Sequence, residues 1–236
     1  MTTALEIRDL QAWYGESHIL HGIEFSVKQG QVLTLLGRNG AGKTTTLRAI
    51  MGLTGARQGS VKVHGTETIG LPTHRIAHLG LGYCPEERGI FASLSTEENL
   101  RLPPLLKSRR GTPMSEEQIY AMFPNLAERR HSPGTRLSGG EQQMLAVARI
   151  LRTGADILLL DEISEGLAPV IVQALARMIT TLKSQGFTII MVEQNFRFAA
   201  PLADHFIVIE HGEVVESFAA GDLAAKQAKL DELLSV

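Results

Sequence analysis

Glycines at positions 37, 40 and 42 separate the apolar run Val32–Leu36 from a segment, Thr44–Met51, that has a helical pattern. The run has the length and composition of a buried strand, so the glycines fall where a strand turns into a helix. Glycine lets successive backbone N–H groups point at one anion, and the helix adds the positive end of its dipole. Lys43 and Thr44 complete the pattern G-x-x-x-x-G-K-T, which is typical of a loop that binds nucleotide phosphates. The alternative is a glycine-rich turn that binds nothing.

This loop supplies the first candidate site residues. The lysine of such a loop reaches the β- and γ-phosphates, and the hydroxyl that follows it holds Mg²⁺. We therefore expect Lys43 to take part in catalysis and Thr44 to bind the metal. The nucleotide-binding residues predicted in this segment are Gly37, Arg38, Asn39, Gly40, Ala41, Gly42, Lys43, Thr44 and Thr45.

The composition limits the function classes. The chain has 236 residues, of which 44% are hydrophobic and 20% charged, so a substantial core is expected. A net charge of -2 argues against a broad nucleic-acid-binding surface. The single cysteine, Cys84, allows no disulfide within the chain, which fits a reducing compartment. The sequence shows neither a secretory signal nor an apolar run of about 20 residues, so we expect any membrane role to come through a partner.

The order of the elements predicts an α/β fold: a P-loop NTPase core with a parallel central sheet. Early strand patterns with little helix between them, at 5–14, 19–27 and 61–63, indicate an antiparallel β portion near the N-terminus. Helical patterns dominate 86–150, with a polar, basic break at 108–111 and a helix expected to end at Pro124. We predict one domain over 1–236, in which 1–85 and 151–236 form the core and 86–150 an inserted helical subdomain.

An acidic pair follows the apolar run Ile157–Leu160. Such a run with acids at its end is typical of a central parallel strand whose tip lies at the nucleotide. Asp161 would then bind Mg²⁺, and Glu162 would polarise the water that attacks the γ-phosphate. The alternative is a solvated acidic turn, which the upstream phosphate loop makes less attractive.

A serine and two glycines precede a second helix, in the segment Leu137–Gln143, and form another potential anion site. This L-S-G-G-E-Q-Q segment, with G-x-x-x-x-G-K-T before it and L-L-L-D-E after it, resembles the nucleotide-binding subunit of ATP-binding-cassette (ABC) transporters. The resemblance covers about 5–217 and implies ATP and Mg²⁺ as ligands. It also implies a dimer, in which Ser138, Gly139 and Gly140 of one subunit close over ATP held by Lys43 of another.

The resemblance assigns further residues singly. Tyr14 matches an aromatic residue that stacks on adenine, although a core aromatic on an edge strand is the alternative. Glu86 stands where the family has a glutamine that touches Mg²⁺, and 87–91 would line the surface that receives a permease helix. Gln194 stands where the family has a histidine that grips the γ-phosphate. Its amide can donate one hydrogen bond but cannot take up a proton, which leaves Glu162 a larger catalytic share. Ser164 would be a contact across the dimer.

Three segments together resemble one branch of the family. They are P-E at 85–86, S-E-G-L-A-P at 164–169 and V-E-Q-N at 192–195, and they match the ATPase subunit of branched-chain amino acid importers, with close relatives for amides and urea. The implied partners are integral membrane permease subunits, a second ABC ATPase in a homodimer or heterodimer, and a separate solute-binding protein, with no nucleic acid. The implied location is the cytoplasmic face of the inner membrane, as a peripheral subunit.

Other functions stay open at this stage. A non-transport ABC protein of DNA repair or translation would usually carry tandem cassettes, long coiled-coil insertions or basic segments, and this sequence has none of them. A nucleotide-binding regulator with negligible hydrolysis would fit the missing histidine. A GTPase is disfavoured because no N-K-x-D motif is present.

Overall fold

The computed structural model describes residues 2–106 and 111–234, and this part of the chain forms two β-sheets flanked by helices. The strands are β1 Thr3–Tyr14, β2 Ser17–Lys28, β3 Val32–Leu36, β4 Ala56–Val63, β5 Thr66–Glu67, β6 Leu81–Cys84, β7 Ile157–Asp161, β8 Thr188–Val192, β9 His205–Glu210 and β10 Glu213–Ala219. The α-helices are α1 Lys43–Ile50, α2 Thr73–Ala77, α3 Thr96–Arg101, α4 Glu116–Met122, α5 Pro124–Glu128, α6 Gly139–Thr153, α7 Pro169–Ser184, α8 Phe196–Ala199 and α9 Leu223–Leu234. Short 3-10 helices cover Gly134–Arg136 and Ala220–Asp222.

The central sheet has the strand order β10-β9-β3-β8-β7-β6. All of its pairings are parallel except that of β9 with β10, which form an antiparallel hairpin near the C-terminus. Strands β3, β7 and β8 are buried along their whole length, because helices and the second sheet cover both faces. Alternate residues therefore enter opposite cores: Val32 and Leu36 pack with helices α6 and α7, while Leu33 and Leu35 pack with the N-terminal sheet. The predicted parallel sheet is confirmed.

The second sheet has the order β2-β1-β4-β5 and is antiparallel throughout. It packs onto the central sheet through an apolar face that includes Leu5, Ile7 and Leu10, all of them fully buried. Helix α1 contributes Leu47 and Ile50 to the same core. The N-terminal antiparallel portion predicted from the sequence is thus confirmed, and it lies beside the loop that joins β3 to α1.

The chain between β6 and β7 contains α3, α4, α5 and α6, in agreement with the helical character of this stretch. The division of the chain into a core and a subdomain at 86–150 stays a prediction. Helix α4 ends at Met122, just before Pro124, as expected, and Pro124 then begins a further helix, α5, where its missing N–H costs nothing. The predicted basic break lies, for 108–110, outside the described residues. Among the residues that the structure describes, 2–106 and 111–234, no helix is both long and apolar enough to cross a bilayer.

Candidate functional site

The phosphate-loop motif forms the turn between β3 and α1. A Cβ atom on Gly37 would lie 2.2 Å from the carbonyl oxygen of Ile209, so any side chain here would displace the neighbouring strand. Gly42 caps α1 with a φ of 108°, a conformation that side chains rarely adopt. The loop is held from outside by the Gly212 N–H, which donates to the Ala41 carbonyl over 2.9 Å. Its tip, at 38–40, is exposed.

Lys43 lies at the mouth of this loop. Its Nζ donates to the carbonyl oxygens of Gly37 and Arg38, at 2.8 and 3.0 Å, and lies 3.8 Å from Oε1 of Glu162. The side chain is 4% exposed. Burial lowers the pKa of Lys43, and the charges of Glu162 and Asp161 oppose that shift. A buried cation between the loop and two acids is placed to meet an anion that enters the loop.

Thr44 and Asp161 meet beside the lysine. The Thr44 hydroxyl donates to Oδ1 of Asp161 over 2.9 Å, and the Tyr83 hydroxyl donates to Oδ2 over 3.0 Å. Asp161 is 1% exposed, and burial raises its pKa despite these two donors. A hydroxyl and a carboxylate in contact are hard oxygen ligands of the kind that Mg²⁺ prefers. Thr45, half-buried in the first turn of α1, completes the predicted loop residues.

Glu162 occupies a strained turn directly after β7. Its φ of 47° lies in the left-handed region, which is uncommon for residues other than glycine. Its N–H donates to the Val192 carbonyl over 2.9 Å, and its Oε2 accepts a hydrogen bond of 2.7 Å from the Gln194 amide. Glu162 and Gln194 are thus in direct contact, on the loops that follow two neighbouring parallel strands.

Two further acidic residues, Glu86 and Glu165, lie near Glu162. Carboxylate oxygens of Glu86, Glu162 and Glu165 lie within 4.8 Å of one another. Glu86 and Glu165 are exposed. The hydrogen bond with Glu162, followed by burial and by the charges of Glu162 and Glu86, raises the pKa of Glu165. This concentration of negative charge next to Asp161 favours a cation at the mouth of the site.

Tyr14 ends β1 and is 38% exposed, so the structure does not place it in the core. The Arg48 guanidinium, in the last turn of α1, lies 5.9 Å from the centre of its ring. The neighbouring Trp13 stacks on His18, with ring centres 4.3 Å apart. An exposed tyrosine next to α1 is available to a planar ligand, while Trp13 is already paired.

The second glycine motif begins α6. Ser138 is its N-cap: the Glu141 N–H donates to the serine hydroxyl over 3.3 Å, and the Ser138 N–H donates to the Glu141 carboxylate over 2.7 Å. This capping box leaves the N–H groups of Gly139 and Gly140 without a hydrogen-bond partner among the described residues. Ser138 is exposed. The helix therefore presents a serine hydroxyl and two N–H groups to a ligand from outside.

Close packing explains both glycines. A Cβ on Gly139 would lie 3.3 Å from the Arg88 guanidinium, and one on Gly140 would lie 2.7 Å from the Ile171 side chain. Arg88 also donates to the Gln142 amide oxygen over 3.1 Å. Gln142 in turn donates to the carbonyl of Leu137. The segment that follows Glu86 therefore supports the turn before Ser138.

The predicted site residues fall into two groups that lie apart in the hydrogen-bond network of the structure. The structure brings together Lys43, Thr44, Asp161, Glu162 and Gln194, with Glu86 at their edge. Among the described residues, no hydrogen bond or ion pair joins the 138–140 turn to the phosphate loop. The roles of the individual residues stay predictions.

Sequence reasoning missed three side chains of this site. Tyr83 bonds Asp161, and burial raises its pKa. Glu165 joins the acidic cluster. Glu193 is 1% exposed and binds Ser164. A charged residue directly after the apolar run 189–192 of β8 is a usable signal for Glu193, but the sequence prediction names only its neighbour Gln194.

Comparisons with known proteins agree with this geometry. A model of the family described as "ABC transporter" matches 20–165. The high-affinity branched-chain amino acid transport ATP-binding protein BraG of Pseudomonas aeruginosa is 38% identical over 211 residues, which cover 89% of this chain and 91% of BraG. The probable branched-chain amino acid transport ATP-binding protein LivF of Archaeoglobus fulgidus is 34% identical, covering 91% of each chain. The lipopolysaccharide export ATP-binding protein LptB of Haemophilus influenzae is 30% identical, covering 89% of this chain and 88% of LptB.

Solved structures share the fold. A nucleotide-free ATP-binding cassette from an ABC transporter matches with a TM-score of 0.85 at 20% identity, covering 100% of this chain and 99% of that one. A dimeric, post-hydrolysis cassette bound to ADP and Pi matches with a TM-score of 0.78 at 22% identity, covering 92% and 98%. With the family match, the relatives and the site geometry in agreement, the chain belongs to the ABC transporter family, as one of its ATP-hydrolysing cassettes.

Proposed function

We propose that this chain is the ATPase subunit of an importer for branched-chain amino acids. The observation that carries the proposal is the 38% identity to BraG across nearly the whole of both chains, together with the likeness to LivF. The likeness to LptB favours a second candidate, lipopolysaccharide export, at lower identity. The loops at 164–169 and 192–195, which carry the branch resemblance, also form the wall of the site around Glu162.

The chain's own residues account for the chemistry. Lys43 and the loop N–H groups would neutralise the β- and γ-phosphates, and Tyr14 would stack on the adenine. Glu162 would hold the attacking water and accept a proton from it as a general base. The Gln194 amide donates a hydrogen bond to one of the Glu162 oxygens and so orients the carboxylate. Gln194 can also donate to phosphate, but it cannot exchange a proton. Hydrolysis would therefore depend mainly on Glu162.

The metal proposed for the site is Mg²⁺. Thr44 Oγ1 and Asp161 would hold it, with Glu86 near enough to the acidic cluster to add an oxygen directly or through water. When bound, the ion offsets the charge that develops between the β- and γ-phosphates. The contact between a hydroxyl and a buried carboxylate fits that ion better than a softer metal.

The working unit proposed is a dimer. The Ser138 hydroxyl would form half of an anion site together with two N–H groups at the start of α6 that have no hydrogen-bond partner among the described residues of the same chain. Ser138, Gly139 and Gly140 of one copy would close over the γ-phosphate held by Lys43 of another. ATP would then favour the closed dimer by its higher affinity for that state.

The remaining partners follow from the transport proposal. Closure and opening would be transmitted to integral membrane permease subunits, with the surface near 87–91 as their docking place and a separate solute-binding protein delivering cargo. The chain would work at the cytoplasmic face of the inner membrane. Loss of the chain should remove uptake of leucine, isoleucine and valine by its native cell. Intact uptake with impaired lipopolysaccharide export would favour the second candidate.

The catalytic assignment is tested by Glu162→Gln. The amide keeps the shape and the contact with Gln194 but cannot accept the proton, so turnover should fall by about 100-fold or more while ATP binding persists. Glu210→Gln is the matched control, since Glu210 ends the parallel strand β9 of the same sheet. Phosphate release and fluorescent ATP titration on purified protein supply the two measurements. Normal phosphate release by Glu162→Gln would contradict the assignment.

A further inference from the structure

A buried carboxylate stands between the two loops that flank the proposed catalytic acid. Glu193 follows β8 directly and is 1% exposed. Its Oε2 accepts a hydrogen bond of 2.7 Å from the Ser164 hydroxyl, and its Oε1 accepts one of 3.2 Å from the Ser164 N–H. Ser164 itself is 4% exposed. A carboxylate is costly to bury. Because Ser164, on another loop, supplies two hydrogen-bond donors to the buried Glu193 carboxylate, this contact has a specific structural role.

The contact is one of two parallel links between the same loops. Glu162 and Gln194 form the outer link, through a hydrogen bond of 2.7 Å. Ser164 and Glu193 form the inner link, which is buried where the outer one is accessible. The two pairs lie at successive positions of the two loops. The loop after β7 is therefore linked to the loop after β8 at Glu162 and again at Ser164.

This fastening matters because Glu162 has a strained backbone. A φ of 47° is unfavourable for a side chain of this size, by about 1 kcal/mol or more, and persists only when its surroundings impose it. On the N-terminal side of the turn, the backbone N–H of Glu162 donates a hydrogen bond of 2.9 Å to the Val192 carbonyl. After Glu162, Ile163 is buried in the core, the Glu162 carbonyl accepts a hydrogen bond of 3.3 Å from the Glu165 N–H, and the inner link holds Ser164. Releasing that link would allow the turn to relax and the Glu162 side chain to move.

We propose that Glu193 is a positioning residue for hydrolysis: through its two hydrogen bonds to Ser164 it holds the turn that aims Glu162 at the γ-phosphate. The inference deepens the proposed function and rests on the catalytic role of Glu162. It assigns Ser164 a task within its own chain, whatever that residue contacts across a dimer. Among the described residues, Glu193 makes no side-chain hydrogen bond or ion pair with Lys43 or Thr44, so it acts on the chemical step and leaves binding of ATP to the phosphate loop.

The test is a double-mutant cycle on Ser164 and Glu193, read out by kcat and by ATP affinity. Ser164→Ala and Glu193→Ala should each lower kcat by about 10- to 100-fold, because a shift of about 1 Å in a catalytic group has effects of that size. The dissociation constant of ATP should change by less than about twofold. The double variant should be no slower than Glu193→Ala, since Glu193→Ala already removes both hydrogen bonds and Ser164→Ala removes one of the same two. Glu193→Gln keeps an oxygen that can accept from the Ser164 N–H, and its kcat should lie between wild type and Glu193→Ala.

A matched control separates positioning from general loss of stability. Thr68 is fully buried in the antiparallel sheet, where its hydroxyl donates to the Val61 carbonyl over 2.9 Å. Thr68→Val removes a buried hydrogen bond of similar length far from the β7 and β8 loops and should leave kcat unchanged. Thermal unfolding of every variant accompanies the kinetics. If Glu193→Ala does not fold, Ser164→Ala and Glu193→Gln carry the test.

Several results would overturn the inference. Wild-type kcat in Ser164→Ala and Glu193→Gln would do so, as would multiplicative losses in the double variant or an ATP affinity that falls in step with kcat. The companion variant Glu162→Gln separates this failure from that of the proposed function. A slow Glu162→Gln with fast Glu193 variants removes only the positioning role. A fast Glu162→Gln removes the catalytic assignment and the positioning role that depends on it.

Discussion

The two glycine motifs of this chain differ in how much of a site each one carries. The phosphate loop between β3 and α1 meets its companions within the chain: Lys43 contacts the loop carbonyls, Thr44 contacts Asp161, and Glu162 lies 3.8 Å from the lysine. The turn before α6 has its helix cap, to which Glu141 belongs, and its packing against Arg88, but no hydrogen bond or ion pair joins it to the phosphate loop among the described residues. One motif has its predicted companions within the chain, and the other is, in the proposal above, half of a site that a second copy completes.

The region around the phosphate loop buries charged groups, and this burial lowers the stability of the fold there. Lys43, Asp161 and Glu193 are all nine-tenths or more buried, and burial shifts the pKa of each toward its neutral form. Such groups destabilise the fold unless partners compensate, so the assembled region trades stability for a fixed arrangement. The turn at 138–140 uses backbone N–H groups and a serine, which can wait for an anion without that penalty.

The largest effect expected from this contrast is a pH dependence of stability that resides in the assembled region. Burial raises the pKa of Glu193 to about 7 from its ordinary value of 4.5, with the charge of Glu162 adding to the shift and three hydrogen bonds opposing it. The folded chain then keeps a proton that the unfolded chain loses, so the free energy of unfolding falls as pH rises from about 4.5 to about 7, by up to about 3 kcal/mol.

Glu193→Gln isolates that contribution, because the amide does not titrate. Urea unfolding of both proteins at pH 5 and pH 8 should show the variant gaining stability relative to wild type at the higher pH. Ser164→Ala removes a donor that lowers the Glu193 pKa and should steepen the pH dependence of the otherwise wild-type chain. A stability difference between wild type and Glu193→Gln that is the same at both pH values would show that the carboxyl titrates normally.

A smaller effect tests the half-site. Ser138→Ala removes the N-cap of α6 and should cost about 1 kcal/mol of stability. Ser115→Ala removes the equivalent capping box from α4, away from the nucleotide site, at a similar cost. If Ser138 also touches phosphate, its variant should hydrolyse ATP about 10-fold more slowly with unchanged ATP binding by the single chain, while Ser115→Ala keeps its turnover. Equal turnover in the two variants would reduce Ser138 to a helix cap.

Much of the fold could be predicted from the sequence, because the decisive signals are local. Strand β8, helix α7 and the buried run of β7 follow directly from apolar runs, a proline and a terminal glycine. Pro124 shows the limit: the end of α4 before this proline could be predicted, but the short helix α5 that begins at it could not.

The site divides in the same way. Lys43, Thr44 and Asp161 belong to motifs with fixed spacing, and their proximity could be expected once β3 and β7 were placed in one sheet. The Ser164–Glu193 contact joins residues 29 positions apart through side chains on two loops. No spacing rule predicts it, since it depends on the left-handed turn at Glu162 and on burial that only the folded sheet produces.

The central claim is that the phosphate loop of one copy and the Ser138 turn of another form one site. Asn39→Cys and Ser138→Cys place thiols on exposed positions of the two motifs, and Glu162→Gln in both chains would preserve bound ATP. Cys84 does not compete, because it is fully buried and burial raises its pKa to about 12. The account predicts that a short bis-maleimide links the two variants into a covalent dimer when they are mixed with ATP and Mg²⁺, and that omission of ATP prevents it. Absence of that dimer at every ATP concentration would contradict the account.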